Sequence, residues 1–335
     1  MSLFAFAPSR GPRWQLALQA ALGIAVPIAV MTLAGRPTLG YIAASGAFTA
    51  LHLGALPVVE RAKTLPIVAS LLLACAGLGV LAAGDLWLSS IGLVVVSIAV
   101  AALAYGFRLG PPGPLFFVLV FGLSASIVGT GAIDGGVYLA ALGAGCAFSY
   151  LLSLTPLVLP WVRGKTARPV REILPGPALT VDGRMLLLRV VLVAVVGTGL
   201  GLLIDPTKIY WLVGSAVAVI GVAAARRAAV ERALHRMLGT VVGAGLYALL
   251  ALLHPAGLVL AVLLGVLQFT IEIVVVRHYA LALVFITPLV LMLVGAASGT
   301  IGSMDVAMER VIDTLVGAAL GAASGILHPR ATPQD

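Results

Sequence analysis

The stretch Ile91-Gly-Leu-Val-Val-Val-Ser-Ile-Ala-Val100 is apolar except for Ser97 and carries no charge. A half-buried strand, or a strand of an outer-membrane barrel, would alternate apolar and polar residues, and this stretch does not. It lies inside a longer apolar run, and a helix needs about 20 such residues to cross the hydrocarbon core of a bilayer. The stretch therefore predicts a membrane-spanning helix.

Apolar runs of this kind follow one another along nearly the whole chain. Of the 335 residues, 61% are hydrophobic and 10% are charged, whereas a soluble domain carries about a quarter charged residues. Cuts at charges, prolines and glycine clusters predict spans at 16–34, 40–57, 66–83, 86–104, 114–132, 136–160, 186–204, 210–225, 237–253, 256–276, 279–297 and 306–327. The predicted fold class is an all-α polytopic membrane protein with about 12 transmembrane helices.

The longest hydrophilic stretch, residues 163–184, separates the predicted spans into two groups of six. It contains three prolines and several basic residues, which is typical of a linker. The sequence therefore predicts a first six-helix membrane repeat at 1–162, a cytoplasmic linker, and a second six-helix repeat at 185–335.

Rare residues recur between the two groups. One offset along the chain lays Tyr41 on Tyr210, and a slightly larger offset, as a small insertion would produce, lays Arg61 on Arg232. Because six is an even number, both groups would enter the membrane from the same side. We therefore expect parallel repeats related by an axis along the membrane normal.

The distribution of basic residues predicts the orientation. With the N-terminus in the cytoplasm, seventeen Lys and Arg residues fall on or near the inner side and three fall outside. Inner loops of membrane proteins retain Lys and Arg in this way. We expect a multi-pass protein of the bacterial plasma (inner) membrane with both termini in the cytoplasm.

Charged residues within spans are few, and such residues usually face a cavity or a partner. Glu272 lies in the cytoplasmic third of the tenth predicted span, where a carboxyl group can act in proton coupling or form a structural ion pair with Arg189. Asp313 and Arg310 lie near the start of the last span and are candidates for the same two roles. Both roles stay open at the level of sequence.

Helix breaks in corresponding places of two halves are a sequence pointer to a transporter's binding site. Proline or glycine is predicted to interrupt the first, seventh and eleventh spans, and kinks that serve only packing are the alternative. The substrate is expected to bind between the halves at Pro27, Tyr41, Gly197, Gly199, Tyr210, Thr287 and Pro288. Bulky replacements at Gly199 are expected to abolish transport while leaving folding intact.

The basic segment between the eighth and ninth spans is predicted to form an amphipathic helix in the cytoplasmic interface. Arg227, Arg232 and Arg236 would form a vestibule that attracts anions. A topological anchor beside anionic lipid is the alternative.

Four motifs of the second half occur in a specific order and spacing. They are Tyr210-Trp211, Arg232-x3-Arg236-x2-Gly239-Thr240-x2-Gly243, Tyr279-Ala-Leu-Ala-Leu-Val-Phe285-Ile-Thr287-Pro288-Leu preceded by Glu272, and Arg310-x2-Asp313-Thr314-x2-Gly317. In these the second half resembles the fusaric acid resistance (FUSC) family of the aromatic acid exporter superfamily. The resemblance implies export of aromatic or other small organic acids at the expense of the proton gradient. Many relatives carry a large cytoplasmic domain; the short linker here indicates a short form and argues against a periplasmic adaptor.

Three functions are compatible with the sequence: a proton-coupled exporter of organic acids, a passive organic-anion channel, and a non-transporting membrane protein. HExxH, GxSxG and P-loop motifs are absent, so we expect neither an enzyme nor an ATP-driven pump. Cys75 and Cys146 lack metal-ligand spacing, and no cofactor or metal is expected. The net charge of +8 is spread over short loops, which excludes nucleic acid. The expected partners are a small organic anion and the lipid bilayer, and a homo-oligomer is compatible with the sequence.

Overall fold

The computed structural model describes residues 13–164, 166–222 and 225–327, and every regular element within them is helical. The first half contains α1 Trp14–Leu33, α2 Pro37–Ala44, α3 Phe48–Leu51, α4 Val58–Ala82, α5 Leu86–Gly106, α6 Leu115–Gly129 and α7 Gly135–Leu154. Two short helices follow, α8 Pro160–Arg163 and α9 Val170–Ile173. The second half contains α10 Val181–Ile204, α11 Ile209–Ile220, α12 Arg226–Ala251, α13 Gly257–Val274, α14 Tyr279–Ser298 and α15 Met304–Ala323.

Within the described residues, nine helices are long and apolar enough to cross a membrane, and α6 and α11 are shorter apolar helices. The chain is therefore an all-α multi-pass membrane protein, as its composition predicts. The number of twelve spans stays a prediction. Both chain termini, which were expected in the cytoplasm, lie outside the described residues.

Successive long helices run in opposite directions, so the bundle has two ends. The linker face is the end where α7 finishes and α10 begins, and the distal face is the end that carries the loop 205–208 and the start of α15. The linker lies against the first half. Arg168 donates to both carboxylate oxygens of Glu60 on α4, at 2.7 and 2.8 Å, and the Ala178 amide donates to the Gly106 carbonyl at the end of α5.

The predicted span at 40–57 is not one helix. Its residues form α2, a 3₁₀ turn at Ser45–Ala47, and the single turn α3. Gly46 touches the backbone of α7, where a Cβ would collide with Gly145, and Leu53 has a positive φ of 55° just beyond α3. The helix therefore ends at Leu51, because a residue with positive φ cannot continue a right-handed helix.

Three predicted helix breaks are absent: α1, α10 and α14 each continue through the residues expected to interrupt them. Pro27 and Pro288 lie inside their helices, since neighbouring helices of a membrane bundle tolerate the freed carbonyl groups. Gly201 serves packing, because a Cβ there would lie 2.8 Å from Cγ2 of Ile209 on α11.

The amphipathic interfacial helix expected at 226–236 is also not separate. It forms the first part of α12, which runs without interruption from Arg226 to Ala251. The small residues of α12, including Gly239, pack against α14 and hold the helix in the bundle. Its basic first part therefore continues directly into the membrane-spanning part.

Corresponding pairs of helices pack in the two halves. In the first half α1 contacts α2, α2 contacts α7, and α4 contacts both α6 and α7. In the second half α10 contacts α11, α11 contacts α15, and α12 contacts both α14 and α15. Between the halves, α1 packs on α13, α5 on α10, α6 on α11 and α2 on α14. The second helical element of each half thus lies at the boundary between the halves.

Candidate functional site

Four helices of the second half, α11, α12, α14 and α15, enclose a group of polar side chains near the middle of the bundle. Small residues bring these helices close together. A Cβ at Gly243 of α12 would lie 2.7 Å from the Cβ of Thr287 on α14, and a Cβ at Gly317 of α15 would lie 2.8 Å from the Cβ of Ser215 on α11. Arg236 and Arg310 lie about two turns before these two glycines, on α12 and α15.

Arg236 of α12 is 6% exposed, and neutral groups of neighbouring helices hold its guanidinium. Its Nε donates to Ser215 Oγ at 2.8 Å, and its Nη1 donates to the Tyr279 hydroxyl at 3.1 Å. Ser215 Oγ in turn donates to the Thr314 carbonyl of α15 at 3.1 Å. Groups from α11, α14 and α15 therefore position the Arg236 side chain, and all of these groups are uncharged.

Arg310 of α15 is 5% exposed and lies over the ring of Trp211, with its Cζ 5.0 Å from the ring centroid. This is a cation–π contact. Its Nε is buried and has no hydrogen-bond partner among the described residues. Arg310 also interacts electrostatically with Arg236 and Tyr279, so two buried guanidinium groups face the same region.

Neither Arg236 nor Arg310 forms a salt bridge with a carboxylate of the described residues. A buried charge without a counter-ion is costly, and within a membrane it usually marks a binding site or an ion path. We call Trp211, Ser215, Arg236, Tyr279 and Arg310 the cationic site. Its chemistry suits an anion that can accept hydrogen bonds from both guanidinium groups.

Basic groups continue from the cationic site toward the linker face. Arg232 lies one turn before Arg236 on α12, and its Nη1 donates to the Ile220 carbonyl at the end of α11, at 3.0 Å. Arg189 of α10 is fully buried, donates to Ser324 Oγ at 3.1 Å, and interacts electrostatically with Arg232. We call Arg189, Arg232, Arg236 and Arg310 the arginine column.

Acidic groups adjoin the cationic site: Asp205 and Glu309 lie on the side of the distal face, and Asp313 lies about one turn deeper on α15 than Arg310. Lys208 forms an ion pair with Glu309 and lies 3.6 Å from Oδ2 of Asp205. Its Nζ is also 5.6 Å from the centroid of the Trp211 ring. Asp313 is 1% exposed, and its Oδ2 has no hydrogen-bond partner among the described residues. We call Asp205, Glu309 and Asp313 the distal acid cluster.

The structure corrects the ion pair predicted for Glu272. This carboxylate accepts from Nη2 of Arg13 at 3.2 Å and from Nε2 of Gln268 at 3.2 Å, while Arg189 donates to Ser324. The reason is the packing of α13 on α1 rather than on α10. Glu272 thus joins the first half to the second half near the linker face.

The predicted vestibule of three arginines is also corrected, because one helix presents them to three different surroundings. Arg227 is exposed and pairs with Glu231, Arg232 caps the end of α11, and Arg236 is buried in the core. Successive turns of α12 pass from the surface at the linker face into the bundle. Only Arg232 and Arg236 belong to the arginine column.

The residues predicted to bind substrate at helix breaks do not form one site. Gly199 is exposed, and a Cβ there would meet nothing within 4 Å. Gly197 packs on Leu212 of α11, and the Thr287 hydroxyl donates to the Leu283 carbonyl of its own helix at 2.9 Å beside Pro288. Gly197 and Thr287 therefore lie at packing positions and Gly199 does not, and binding of substrate at these residues stays a prediction.

Two further predicted positions lie in the first half or at its boundary. Pro27 faces α2, where a Cβ at Gly40 would lie 2.9 Å from the Pro27 carbonyl oxygen. Tyr41 is buried on α2. Tyr210, by contrast, borders the cationic site, since it stacks edge-on against Trp211 and interacts electrostatically with Arg310.

Sequence reasoning did not assign Ser215, Trp211, Tyr279 or Lys208 to a site, although the first three stand in or beside motifs it singled out. One signal was present. Arg232 and Arg236 are four residues apart and therefore lie on the same face of a helix, which places Arg236 one turn inside the bundle if Arg232 lies at the membrane surface.

Comparisons with known proteins concern this same half of the chain. Residues 190–324 match the family model described as fusaric acid resistance protein-like. The uncharacterized membrane protein YvaC of Bacillus subtilis (strain 168) is 32% identical over 112 residues, which are 33% of this chain and 18% of that protein. The chain thus matches less than a fifth of the length of this curated relative. No solved structure matches the chain. The cationic site and most of the arginine column lie within the matched residues.

Proposed function

We propose, since residues 190–324 match the model of the fusaric acid resistance protein-like family, that this protein exports small organic acids across the bacterial plasma membrane. In this proposal the linker face lies in the cytoplasm, because the basic residues concentrate on that side of the predicted topology. The organic anion enters along the arginine column and leaves past the distal acid cluster.

The observation that carries the proposal is the pair of buried guanidinium groups of Arg236 and Arg310. Neither forms a salt bridge in the described residues, although Arg310 interacts electrostatically with Asp313 of its own helix. Desolvating two such charges costs several kcal/mol each unless a counter-ion is present. A carboxylate substrate bound between them supplies that counter-ion. The Tyr279 hydroxyl, which accepts from Arg236, then donates its own hydrogen to the bound carboxylate.

The aromatic side chains around the site favour substrates with a ring. Trp211 carries Arg310 on its ring, and Tyr210 and Tyr279 complete the border. An aromatic ring can pack against such side chains while its carboxylate faces the arginines. We therefore propose aromatic monocarboxylates as the substrate class.

Proton coupling requires an acid that gains and loses a proton during transport. Glu272 fits this role because its ion pair with Arg13 ties α13 to the start of α1 in the other half. Protonation of Glu272 would weaken the contact between the halves and so bias the transporter toward another conformation. On this proposal Glu272→Gln abolishes proton-driven accumulation of substrate while substrate exchange is retained.

The corresponding contacts of the two halves support the internal repeat as part of the proposal. Parallel repeats related by an axis along the membrane normal commonly place the transport path at their interface. Here α11, which lines the cationic site with Trp211 and Ser215, also packs on α6 of the first half. Relative movement of the halves would therefore reach the site directly.

The test is uptake of radiolabelled benzoate, an aromatic monocarboxylate, into proteoliposomes that contain the purified protein. We expect Arg236→Gln and Arg310→Gln to abolish uptake. Arg227→Gln is the matched control, because Arg227 lies on the same helix as Arg236 but is exposed; it should transport like the wild type. Equal uptake by all three variants would contradict the proposed path.

A passive organic-anion channel is the second candidate, and the continuity of the arginine column favours it. A channel would conduct benzoate along its electrochemical gradient at a rate independent of a transmembrane pH difference. The same proteoliposomes, measured with and without a pH gradient at fixed membrane potential, distinguish the two. Dependence on the pH gradient supports the transporter.

A further inference from the structure

We infer that Lys208 is a positioning residue of the proposed transport, because its ion pair with Glu309 holds the cationic site closed toward the distal face. The pair opens when the anion leaves and forms again afterwards. This inference rests on the proposed function, since it concerns how one site reaches the second side of the membrane. It is independent of proton coupling at Glu272, which lies near the linker face.

The ion pair joins the distal ends of α11 and α15. Lys208 directly precedes α11, and Glu309 lies in the second turn of α15. Both helices begin at the distal face, and the two partners come before the site residues Trp211 and Arg310 of their own helices. Each partner therefore lies on the distal side of a residue of the cationic site.

Deeper in the bundle the same two helices are held by close packing. A Cβ at Gly317 of α15 would lie 2.8 Å from the Cβ of Ser215 on α11, and a Cβ at Gly321 would lie 2.9 Å from the Cβ of Val219. Contacts this tight leave the helices little freedom to slide or separate. Separation of α11 from α15 is therefore easiest at their distal ends, where a pair of charges joins them.

The ring of Trp211 connects the ion pair to the cationic site. Trp211 is 1% exposed, and its ring centroid lies 5.6 Å from Nζ of Lys208 and 5.0 Å from Cζ of Arg310. At both distances an aromatic ring attracts a positive charge. Because it contacts both cations, the buried ring fills space between the site and the ion pair. Lys208 thus helps to hold the ring in place beside Arg310.

The ion pair can open without leaving an isolated charge. The side chains of Lys208 and Glu309 are 22% and 41% exposed, so water can replace their contact. Lys208 also lies 3.6 Å from Oδ2 of Asp205, which is itself fixed by the amide and the hydroxyl of Thr207 at 2.9 and 2.6 Å. When Glu309 moves away with α15, Lys208 keeps this second partner. A fully buried pair lacks both properties and is costly to break.

A covalent tie between residues 208 and 309 distinguishes this role from that of a scaffold. If the pair only stabilises the fold, a tie that keeps α11 and α15 together preserves transport. If the pair must open, the same tie stops transport, while the anion still reaches the site from the linker face. The two roles therefore predict opposite results.

The experiment uses the double variant Lys208→Cys/Glu309→Cys, which removes one charge of each sign, and a bifunctional methanethiosulfonate that bridges the two thiols. Cys75 and Cys146 are buried and should not react, and the intact-protein mass confirms the bridge. We expect the bridged protein to bind benzoate as before but to lose benzoate uptake in proteoliposomes. A thiol reductant should restore the uptake. Each single-cysteine variant, treated with the same reagent, is the control and should transport.

A second measurement needs no bridge. Ser215→Cys places a thiol in the cationic site, and a membrane-impermeant methanethiosulfonate is applied to intact cells, from the side that the distal face takes in the proposed orientation. Glu309→Gln removes the ion pair and should raise the rate at which this thiol is labelled. Glu231→Gln is the matched control, because it removes the exposed ion pair of Arg227 at the linker face; it should leave the rate unchanged.

Normal uptake by the bridged protein would overturn the inference and leave the proposed function standing. Loss of benzoate binding on bridging would also overturn it, because the tie would then act on the site itself and not on the way out. An unchanged labelling rate in Glu309→Gln contradicts the inference as well, and this measurement decides if the double variant does not fold. Absence of benzoate uptake by the wild type would reject the proposed function, and the inference would fall with it.

Discussion

Several contacts recur in the two halves of the chain, but the side chains buried beside them differ. In the first half Gly145 touches the Ala43 carbonyl, and in the second half Gly317 touches the Leu212 carbonyl; the offset that lays Tyr41 on Tyr210 also lays Ala43 on Leu212. Arg61 donates to the Ala50 carbonyl of α3 at 2.8 Å, as Arg232 donates at the end of α11. The helix ends and close contacts thus correspond.

The side chains at the cationic site do not correspond. The offset that lays Arg61 on Arg232 lays Leu65 on Arg236, and the offset that lays Gly145 on Gly317 lays Tyr138 on Arg310. Both first-half residues, Leu65 and Tyr138, are buried. At these two pairs of positions, only the second half buries a cation. The first half forms comparable contacts without buried cations at these positions, which supports a functional role for the cationic site.

The largest expected effect, on the yield of folded protein, comes from placing the counterpart of Arg236 in the first half. Leu65→Arg would bury a guanidinium in the apolar core of the first half, which costs several kcal/mol. We expect little monodisperse protein in fluorescence-detected size-exclusion chromatography. Leu65→Met, which keeps the volume, should behave like the wild type, and a well-folded Leu65→Arg protein would show that the two halves tolerate charge equally.

The reciprocal exchange should spare the fold and remove transport. Arg310→Tyr introduces the residue that the first half carries at the corresponding position. Loss of a charge-assisted hydrogen bond to the anion is worth about 1.5–3 kcal/mol, so benzoate flux should fall about ten- to a hundredfold. Flux in proteoliposomes and the elution profile of the same preparation separate the two effects, and unchanged flux would remove Arg310 from the site.

The corresponding glycine contacts should respond alike in both halves. Gly145→Ala and Gly317→Ala each place a Cβ against a carbonyl oxygen of the facing helix, and overpacking of this kind costs about 1–3 kcal/mol. We expect a lowered thermal unfolding temperature for both variants. Gly199→Leu is the control and should be silent in stability and in transport, because Gly199 faces open space; a loss there would restore the site first predicted around it.

The smallest expected effect on stability concerns the ion pair that joins the halves. Glu272→Gln removes the charge, but the partner Arg13 side chain is 33% exposed and can be hydrated. We expect a loss of less than about 1 kcal/mol, measured by thermal unfolding in detergent. A larger loss, relieved by Arg13→Gln in the double variant, would identify a scaffold and not a coupling residue.

Several features of the fold were predictable from local sequence. Long apolar runs predicted α5, α10 and α13 closely, because about 20 apolar residues in a row have few other stable conformations in a bilayer. The break in the segment 40–57 was not predicted. It depends on Leu53, which adopts a positive φ, and on the contact of Gly46 with α7, and neither can be seen in a run of apolar letters.

The candidate site was predicted in part. Glu272, Arg310 and Asp313 stood out because charges are rare in the spans, and all three are buried. Their partners were not predictable, since the pairing of Glu272 with Arg13 joins residues 259 positions apart. Glycine and proline did not interrupt the helices as predicted, because such residues also serve close packing between helices.

The sequence by itself determined that the chain lies in a membrane and which of its residues are too polar to face lipid; the two groups of helices around a hydrophilic linker stay its prediction. These properties follow from transfer energies that each segment carries on its own. Only the tertiary structure decided which polar residues meet. Arg236, Ser215, Tyr279 and Arg310 come from four helices, and their shared site exists because glycine contacts set the rotation and spacing of those helices.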